Sequence, residues 1–439
     1  MRPASSLSLY VLFPADTHFA SGTVFSGLKV SFEGRVLALS QCRFQLESGV
    51  PEASGRLVFT SDVYDCRALC AEGRIKTLLS FFQELPLVLA QRENIKPEFR
   101  AYVADLNFDL SAYKKFFNEQ DRVLAQEPAV VAQAAQQLIL HGAGAQFFGF
   151  LDKNLALLSE LVSNFTPEEH ERHGYYFRQQ LWPFIVGSEF MKRTNLKPRG
   201  YAGDSVMMEL LYDNQYVGHF AFNKLMHKHP LDHAAAQAVR NRRDLLPRLL
   251  AETAVAAPAG QFRVLSVACG PARELEGMFK ADGDFERFAV TLVDQDVEAL
   301  AAAKATVARI EAAAGKRIAA SFVSQSVRTL LKSSDLREQW GTFRFIYSMG
   351  LFDYLTPPVA RAVLARIYDL LEAGGVAVIG NYHVSNPSRY YMAYWLDWTL
   401  YHRTEEEMLA LAAELPRATR SISFDASGSQ MFLKLGRAP

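Results

Sequence analysis

The chain has 439 residues, of which 49% are apolar and 21% are charged. This length is enough for two or three hydrophobic cores, and the composition is that of a globular protein. Basic and acidic residues balance, 47 against 47. We therefore expect no molecule-wide attraction to nucleic acid or to anionic lipid.

The N-terminal stretch, MRPASSLSLYVLF, lacks the apolar core and the cleavage site of a signal peptide. No run of 18 apolar residues occurs, so we expect no stable membrane insertion. Cys66 and Cys70 are four residues apart, but no second pair of cysteines or histidines follows at zinc-site spacing. We therefore expect reduced thiols, no metal site and a cytoplasmic protein.

Residues 1–85 are predicted to form a small β-rich domain. Between about Gly22 and Lys76, short runs of β-branched and apolar residues are separated by Gly, Ser and Pro. TVFSGLKVSF, GRVLALS, CRFQLES and GRLVFTSDV are such runs. The pattern is typical of a small barrel or sandwich.

Residues 86–254 are predicted to form a helical domain that acts as a lid or connector. Apolar residues recur three and four apart, as in VVAQAAQQLILH. Thr166, Pro167 and Glu169 predict a helix start with an N-cap, a proline at the first helical position and a capping box. The stretch AVAAPAG, which ends at Gly260, is predicted to link this domain to the next.

Residues 255–439 alternate between strand and helix patterns. The runs FRVLSVAC, FAVTLVDQD, IAASFVSQ, FRFIYSMG and VAVIGNYH predict five strands, and their alternation with helices predicts a parallel sheet of βαβ units. Two final runs, RSISFDAS and QMFLKLG, predict a hairpin added to the sheet. Such a hairpin distinguishes methyltransferases from dinucleotide-binding domains. We therefore expect an α/β fold with a Rossmann-like, seven-stranded methyltransferase domain.

The first strand of this domain runs into Ala268, Cys269 and Gly270, where a ligand can approach the backbone closely. The three-glycine dinucleotide fingerprint is incomplete, because Ala272 and Leu275 stand where glycines would be needed. A diphosphate requires that series of bare amides, whereas S-adenosyl-L-methionine has no phosphate. The departure favours S-adenosyl-L-methionine over NAD as the cofactor.

Asp294 ends the second strand, 24 residues beyond Gly270, where an acid can accept both ribose hydroxyl protons. The alternative is a turn carboxylate without a ligand. Asp296 is predicted to be the N-cap of the next helix. Further cofactor contacts are predicted after the second, third and fourth strands, at Gln295, Ser326, Val327, Ser348 and Gly350.

The end of the fourth strand, SMGLFDY, should line the reaction centre, because ligands bind beyond the carboxyl ends of parallel strands. Core packing is an equal alternative for Met349 and Phe352. The aromatic run from Tyr390 to Tyr401 either walls an apolar acyl pocket or packs on the helical domain. The predicted substrate-binding residues are Phe352, Tyr354, Tyr382 and Arg389.

Three residues are candidates for positioning the acceptor or for catalysis: His383, Tyr201 and Arg199. His383 follows the fifth strand and would orient a carboxylate or act as a base. Arg199 and Tyr201 lie in the turn-rich segment KPRGYAGD, which we expect to fold over the cofactor, with Arg199 paired to a carboxylate of the donor or the acceptor. Asp204 is predicted to cap the helix SVMMELLYD. A core histidine and a surface ion pair are the alternatives for His383 and Arg199.

The motifs VACGPARELE, KPRGYAGD and GNYHVSNPSR together resemble the bacterial family of extracellular-factor 3-hydroxypalmitic acid methyl ester biosynthesis enzymes. The resemblance runs from about Asn164 to the C-terminus and implies a fatty acid methyl ester used in quorum sensing. The N-terminal β region is faintly similar to a PilZ domain, a cyclic di-GMP-binding barrel. It departs from that pattern at Ala38 and Arg43, where the family has an acid and a glycine, so it resembles a degenerate member.

We predict that the protein O-methylates the carboxylate of a small or lipid-like acid with S-adenosylmethionine. A carboxylate is ionised at neutral pH and needs orientation without a general base. The alternatives are N-methylation of a small amine, which would need a base, and a non-catalytic ligand-sensing protein. No nucleic-acid partner is expected, and the sequence leaves a homodimer open.

Overall fold

The structure is a computed structural model that describes residues 8–12, 20, 22–32, 35–46, 54–58, 94–333 and 335–438. The chain divides into two compact units, Met1–Asn94 and Ile95–Pro439. The predicted boundary at residue 85 lies outside the described residues, as do Cys66 and Cys70. Among the described helices, none combines the length and the apolarity needed to cross a bilayer.

The first unit contains four described strands in one antiparallel sheet, ordered β1-β4-β3-β2. Their bounds are β1 Ser8–Leu12, β2 Val24–Phe32, β3 Arg35–Leu46 and β4 Ser54–Val58. The runs GRVLALS and CRFQLES, predicted as two segments, both contribute to the single strand β3, because Gln41 between them stays paired with Ser26 of β2. The likeness of this region to a PilZ domain stays a prediction.

The second unit begins with helices. They are α1 Pro97–Leu124, α2 Ala129–His141, α3 Ala143–Val162, α4 Pro167–Ile185, α5 Glu189–Leu196, α6 Ser205–Asp213, α7 Ala221–Asp232 and α8 Ala234–Val255. The capping box predicted at Thr166 is present, with the Glu169 amide donating to the threonine hydroxyl. Asp204 caps α6 as predicted, since its carboxylate accepts from the amide of Met207.

The α/β part of the same unit follows. Its strands are β5 Phe262–Val267, β6 Phe288–Asp294, β7 Ala319–Ser324, β8 Phe343–Ser348, β9 Leu371–Tyr382, β10 Ala418–Phe424 and β11 Gln430–Arg437. Its helices are α9 Leu275–Met278, α10 Asp282–Arg287, α11 Val297–Ala314, α12 Val327–Lys332, α13 Leu336–Trp340, α14 Pro357–Asp369, α15 Arg389–Trp395 and α16 Glu405–Ala410.

These seven strands form one sheet in the order β10-β11-β9-β8-β5-β6-β7. The strands β9, β8, β5, β6 and β7 are parallel, and β10 and β11 add an antiparallel hairpin beside β9. The predicted Rossmann-like methyltransferase architecture with a terminal hairpin is confirmed. The strand order reverses between β5 and β8, and the carboxyl ends of strands at such a switch point form a crevice for ligands.

Helix ends in this part follow local sequence signals. Asp296 caps α11, and Gly315 ends it with a φ of 65°. The strand predicted from VAVIGNYH begins earlier than expected, at Leu371, shortly after α14 ends at Asp369. The prediction was wrong there because Leu371 is fully buried and pairs with Phe343 of β8.

The sheet is covered on both faces, as its consecutive buried residues require. Val264 of β5 belongs to one buried cluster and Leu265, the next residue, to another, because successive side chains of a strand point to opposite faces. α8 and α11 contribute to the first cluster, and α14 contributes to the second.

A third buried cluster fills the helical part, and the aromatic helix α15 packs into it. Tyr394 and Trp395 are 1% and 2% exposed, and both rings meet Phe177 of α4 edge-on. Of the two alternatives for the aromatic run, packing on the helical part therefore holds for α15. Trp398 lies beyond the end of this helix.

Replacing Asp204 with alanine should cost more stability than removing an exposed cap. Asp204 is fully buried, caps α6 and accepts two hydrogen bonds from the Nε of Arg193, at 2.8 and 2.9 Å. We expect Asp204→Ala to lower the free energy of unfolding by about 3 kcal/mol, because the arginine would lose its buried partner. The matched change Thr404→Ala, at the capping box of α16, should cost about 1 kcal/mol. Urea titrations followed by circular dichroism compare the two, and equal losses would contradict the prediction.

Candidate active site

A cavity of about 350 Å³ opens where the carboxyl ends of β5, β6 and β8 meet the helical part. Its volume lies within the range of small-molecule sites. From the sheet side it is lined by Ser266, Gly270, Asp294, Ser326, Met349 and Asp353. From the helical side it is lined by Tyr201, Gly203, Met208, Tyr212, Val239 and Arg242. Both parts of the second unit therefore build the site.

The turn after β5 has an unusual backbone. Ala268, Gly270 and Ala272 all have positive φ values, of 57°, 54° and 53°. Left-handed conformations are costly for residues with a Cβ and persist where the surroundings impose them. Here the Cys269 amide donates to the carbonyl of Val293 at 3.1 Å, which ties the turn to the end of β6.

Asp294 fixes the same turn from its other side. Its Oδ2 accepts from the Gly270 amide at 3.0 Å, and its Oδ1 accepts from the Asp296 amide at 3.0 Å. The side chain is 8% exposed and lines the cavity. Burial raises the pKa of Asp294 above its usual range, although these backbone donors act in the opposite direction.

The segment KPRGYAGD lines the cavity with Tyr201 and Gly203 and is held in place by hydrogen bonds to Asp296. The Asp296 carboxylate accepts from Arg199 at 3.0 Å and from the hydroxyl of Tyr201 at 3.1 Å. Arg199 also contacts Glu298 and donates to the Ser205 hydroxyl at 2.7 Å. Burial opposes ionisation of Asp296, but its hydrogen bonds hold its pKa below the usual range. Arg199 was predicted to pair with a carboxylate of the donor or the acceptor. In the structure it pairs with two carboxylates of the protein itself, Asp296 and Glu298.

A buried carboxyl group, Asp353, lies just beyond β8. It is 2% exposed and accepts from the Tyr382 amide at 2.7 Å. Burial raises the pKa of Asp353 to about 7, and the Tyr382 hydrogen bond and the charges of Arg242 and Arg403 limit the rise. This group therefore changes charge near neutral pH inside the cavity wall.

Tyr354 and Trp398 close another part of the wall. The Trp398 indole Nε1 donates to the Tyr354 hydroxyl at 2.8 Å. A Cβ at Gly203 would lie 2.7 Å from that hydroxyl and 3.2 Å from the Trp398 ring. A glycine is therefore needed at position 203 for the close approach of the segment KPRGYAGD to the two rings.

Arg242 brings a positive charge into the cavity. The residue is 7% exposed, and its guanidinium donates to the carbonyl of Met349 at 2.8 Å and to the sulfur of Met208 at 3.7 Å. Both acceptors are neutral, and among the residues that the structure describes no carboxylate lies within ion-pair distance of Arg242. A buried cation of this kind favours an anionic ligand.

Sequence reasoning missed Arg242, and it placed Asp353 at the reaction centre only as part of SMGLFDY, without a role of its own. The signal for Arg242 was present, because Val239 and Leu246 lie three residues before it and four residues after it, on the buried face of α8. A charged residue on an apolar face needs a partner. Asp353 gave no such signal, because it lies in a single-turn 3-10 helix, Phe352–Tyr354, too short to show a buried face.

Most of the predicted cofactor residues lie at the cavity: Ala268, Cys269, Gly270, Asp294, Gln295, Ser326, Val327 and Gly350. Tyr201, Tyr354 and Tyr382 also line it. Ser348 does not, because it is fully buried and donates to the Val267 carbonyl at 2.9 Å. Phe352 is fully buried in the core between the sheet and α14, the alternative considered for it.

His383, Arg199 and Arg389 are not among the residues that line the cavity. The His383 ring contacts the Ser385 hydroxyl at 2.6 Å and meets the Phe424 ring edge-on. Arg389 is exposed at the start of α15 and lies over the Tyr390 ring. The structure thus places His383 and Arg389 outside the cavity. Arg199 does not line the cavity either, but Ser205, to which it donates a hydrogen bond, does.

Residues 264–375 match the family model described as a methyltransferase domain. The chain therefore contains a methyltransferase domain. The matched residues begin in β5 and end in β9, so they include Gly270, Asp294 and Asp353. The sheet side of the cavity described above is therefore built largely by the matched residues.

Three solved structures illustrate what the chain is similar to. A possible exported protein from Bordetella parapertussis is 17% identical over 68% of this chain and 98% of its own, with a TM-score of 0.46. Magnesium protoporphyrin IX methyltransferase from Synechocystis with bound S-adenosylmethionine is 10% identical over 46% and 83%, with a TM-score of 0.33. The N-methyltransferase NodS from Bradyrhizobium japonicum with S-adenosyl-L-homocysteine is 13% identical over 46% and 88%, with a TM-score of 0.33. A search of curated protein sequences found no match.

Removing the Asp294 carboxylate should weaken cofactor binding. Asp294→Ala leaves the Gly270 amide without its acceptor and removes the acid at the end of β6. We expect S-adenosylmethionine affinity to fall by about 30-fold or more, from the loss of 2–3 kcal/mol of charge-assisted hydrogen bonding. Isothermal titration measures this loss. The control is Asp282→Ala, at an acid whose side chain is 89% exposed. Normal affinity in the Asp294 variant would contradict the role of this residue.

Proposed function

We propose that the protein transfers the methyl group of S-adenosylmethionine to the carboxylate of a small or fatty acid and forms a methyl ester. The observation that carries the proposal is the buried guanidinium of Arg242 in the cavity, without an ion-pair partner among the described residues. A carboxylate acceptor would supply the missing anion and form charge-assisted hydrogen bonds with it. The proposal thus assigns the acceptor to the Arg242 region of the cavity.

The surroundings of Arg242 support an acceptor with an apolar portion. Met208, Val239, Leu246 and Leu400 also line the cavity, and contact with apolar side chains stabilises a bound hydrocarbon group. The charge and these side chains together suit an acid with a carboxylate at one end and an aliphatic part beyond it. A 3-hydroxy fatty acid, implied by the family resemblance of the motifs, has this form.

The residues present also fit the cofactor. Asp294 would hold the ribose, the turn at Cys269 and Gly270 would hold the methionine portion, and Ser326 and Val327 would flank the adenine. When bound, the cofactor supplies an electrophilic methyl group on a sulfonium. Asp294 already keeps the Gly270 turn in its left-handed conformation, so little ordering of this turn is needed on binding.

The protein's own contribution to this reaction is position and exclusion of water. Tyr201 would cover the cofactor from the segment that Arg199 fastens to Asp296, and the Tyr354 and Trp398 pair would close the cavity beside the acceptor. An ionised acceptor carboxylate needs no proton removal, so none of these residues has to act as a base. Arg242 takes over the acceptor-orienting role expected for His383.

N-methylation of an amine is the second candidate, because Asp353 favours it. A carboxyl group with a pKa of about 7 is half ionised at neutral pH and can accept a proton from an ammonium group. The two reactions make opposite demands on its charge. A carboxylate acceptor binds better beside the protonated acid, whereas an amine needs the ionised form.

The pH dependence of the rate should separate the two candidates. For a carboxylate acceptor, kcat/KM should stay level or fall as the pH rises through about 7, because ionised Asp353 would repel the substrate. Initial rates with labelled S-adenosylmethionine between about pH 6 and pH 8 test this. Asp353→Asn retains the acceptor for the Tyr382 amide and should remove any such fall. A rate that rises across this range would favour the amine reaction and count against the ester.

Removing the charge of Arg242 should impair use of the acceptor more than binding of the cofactor. For Arg242→Gln we expect kcat/KM with a panel of 3-hydroxy and unsubstituted fatty acids to fall about 100-fold, as for loss of a charge-assisted contact. Arg242→Lys should retain part of the activity. Mass spectrometry identifies the methyl ester, and isothermal titration measures cofactor affinity.

The matched control for this experiment is Arg248→Gln, an exposed arginine of the same helix, which should leave both quantities unchanged. Thermal unfolding of each variant shows whether the fold is intact. A parallel fall in cofactor affinity in Arg242→Gln would mean that Arg242 holds the donor's carboxylate and would overturn its assignment to the acceptor.

A further inference from the structure

Two histidines and one carboxylate converge at one point of the helical part. His229 lies near the end of α7, His233 precedes α8, and Asp152 belongs to α3. The Nε2 atoms of the histidines lie 3.1 and 3.3 Å from Asp152 Oδ1 and 3.2 Å from each other. Three potential ligand atoms thus form a nearly equilateral triangle.

The size of this triangle matches the face of a tetrahedral metal site. Two ligands of a Zn²⁺ ion with bonds of about 2.0 Å lie about 3.3 Å apart. A proton on a ring nitrogen can bridge one or two sides of the triangle, whereas a cation at its centre contacts all three atoms. Two imidazoles and one carboxylate form a donor set that suits zinc and disfavours Mg²⁺ and Ca²⁺.

The surroundings hold the first histidine in the ligand orientation. The Nδ1 atom of His229 lies 2.7 Å from the Tyr391 hydroxyl, and the Phe148 ring packs 5.0 Å from the imidazole. Metal-binding histidines usually have such a hydrogen bond at the other ring nitrogen, which fixes the ring and its tautomer. His229 is 2% exposed, so its position is set by packing rather than by solvent contacts.

Solvent reaches the three ligand atoms on the side of Asp152 and His233, away from the buried His229. The Asp152 side chain is 58% exposed and that of His233 is 25% exposed. An ion can enter from there, and a water molecule can occupy a fourth position. Three protein ligands with one open position are an established form of zinc coordination.

We propose that Asp152, His229 and His233 bind a Zn²⁺ ion that joins α3, α7 and the start of α8. The site is separate from the methyltransferase cavity, because none of its three residues lines that cavity. The ion would fix the start of α8, the helix that carries Arg242. The cysteine spacing, from which no metal site was predicted, gave no sign of it.

Titration of the tag-free, full-length protein with zinc chloride after chelator treatment tests this site. We expect one Zn²⁺ per chain and a rise in Tm, because an ion that binds only the folded state stabilises it. Cobalt chloride should give the visible absorption of a tetrahedral Co²⁺ ion. Asp152→Asn and His233→Gln, both at partly exposed positions, should each weaken zinc binding by more than about tenfold.

The control variant is His219→Gln, which changes an exposed histidine before α7 and should bind zinc as the unaltered protein does. Circular dichroism establishes that each variant is folded. The absence of zinc binding in the unaltered protein would overturn the proposal. Equal binding by the Asp152→Asn, His233→Gln double variant, or equal loss in His219→Gln, would overturn it as well.

Discussion

The buried carboxylate of Asp294 is the contact on which the candidate active site depends. It accepts the Gly270 amide on one side and the Asp296 amide on the other, so it joins the ends of β5 and β6 to the start of α11. Asp296 in turn holds Arg199 and Tyr201. Hydrogen bonds thus link the carboxyl ends of these strands to the segment KPRGYAGD, whose Tyr201 and Gly203 line the cavity.

Several ionisable side chains are buried in the cavity wall. Asp294, Glu274 and Asp353 all have pKa values raised by burial, and Arg242 is the nearby cation whose charge limits the rise for Glu274 and Asp353. Glu274 is also held by the Tyr347 hydroxyl at 2.7 Å. Desolvated groups of this kind interact strongly with a bound ion. The apolar clusters on the two faces of the sheet supply the stability that offsets the cost of burying these groups.

Local sequence signals predicted much of the fold because they act over a few residues. Thr166, Asp204 and Asp296 cap helices as expected, and Gly315 ends one. Such caps satisfy backbone groups of the neighbouring turn, so their chemistry is visible in a short window. The positions of the Gly270 turn and of Asp294 could also be predicted from a short stretch of sequence. Each stands at the end of a strand that the sequence pattern identifies.

The sequence by itself determined the order of strands and helices, the terminal hairpin and the positions of the glycine turn and its acid. Only the tertiary structure decided that Arg242 faces the cavity, that His383 does not line it, and that Asp152 meets His229. The physical reason is distance along the chain. Periodicity shows which face of a helix is buried, but the residues that this face meets depend on how separate elements pack.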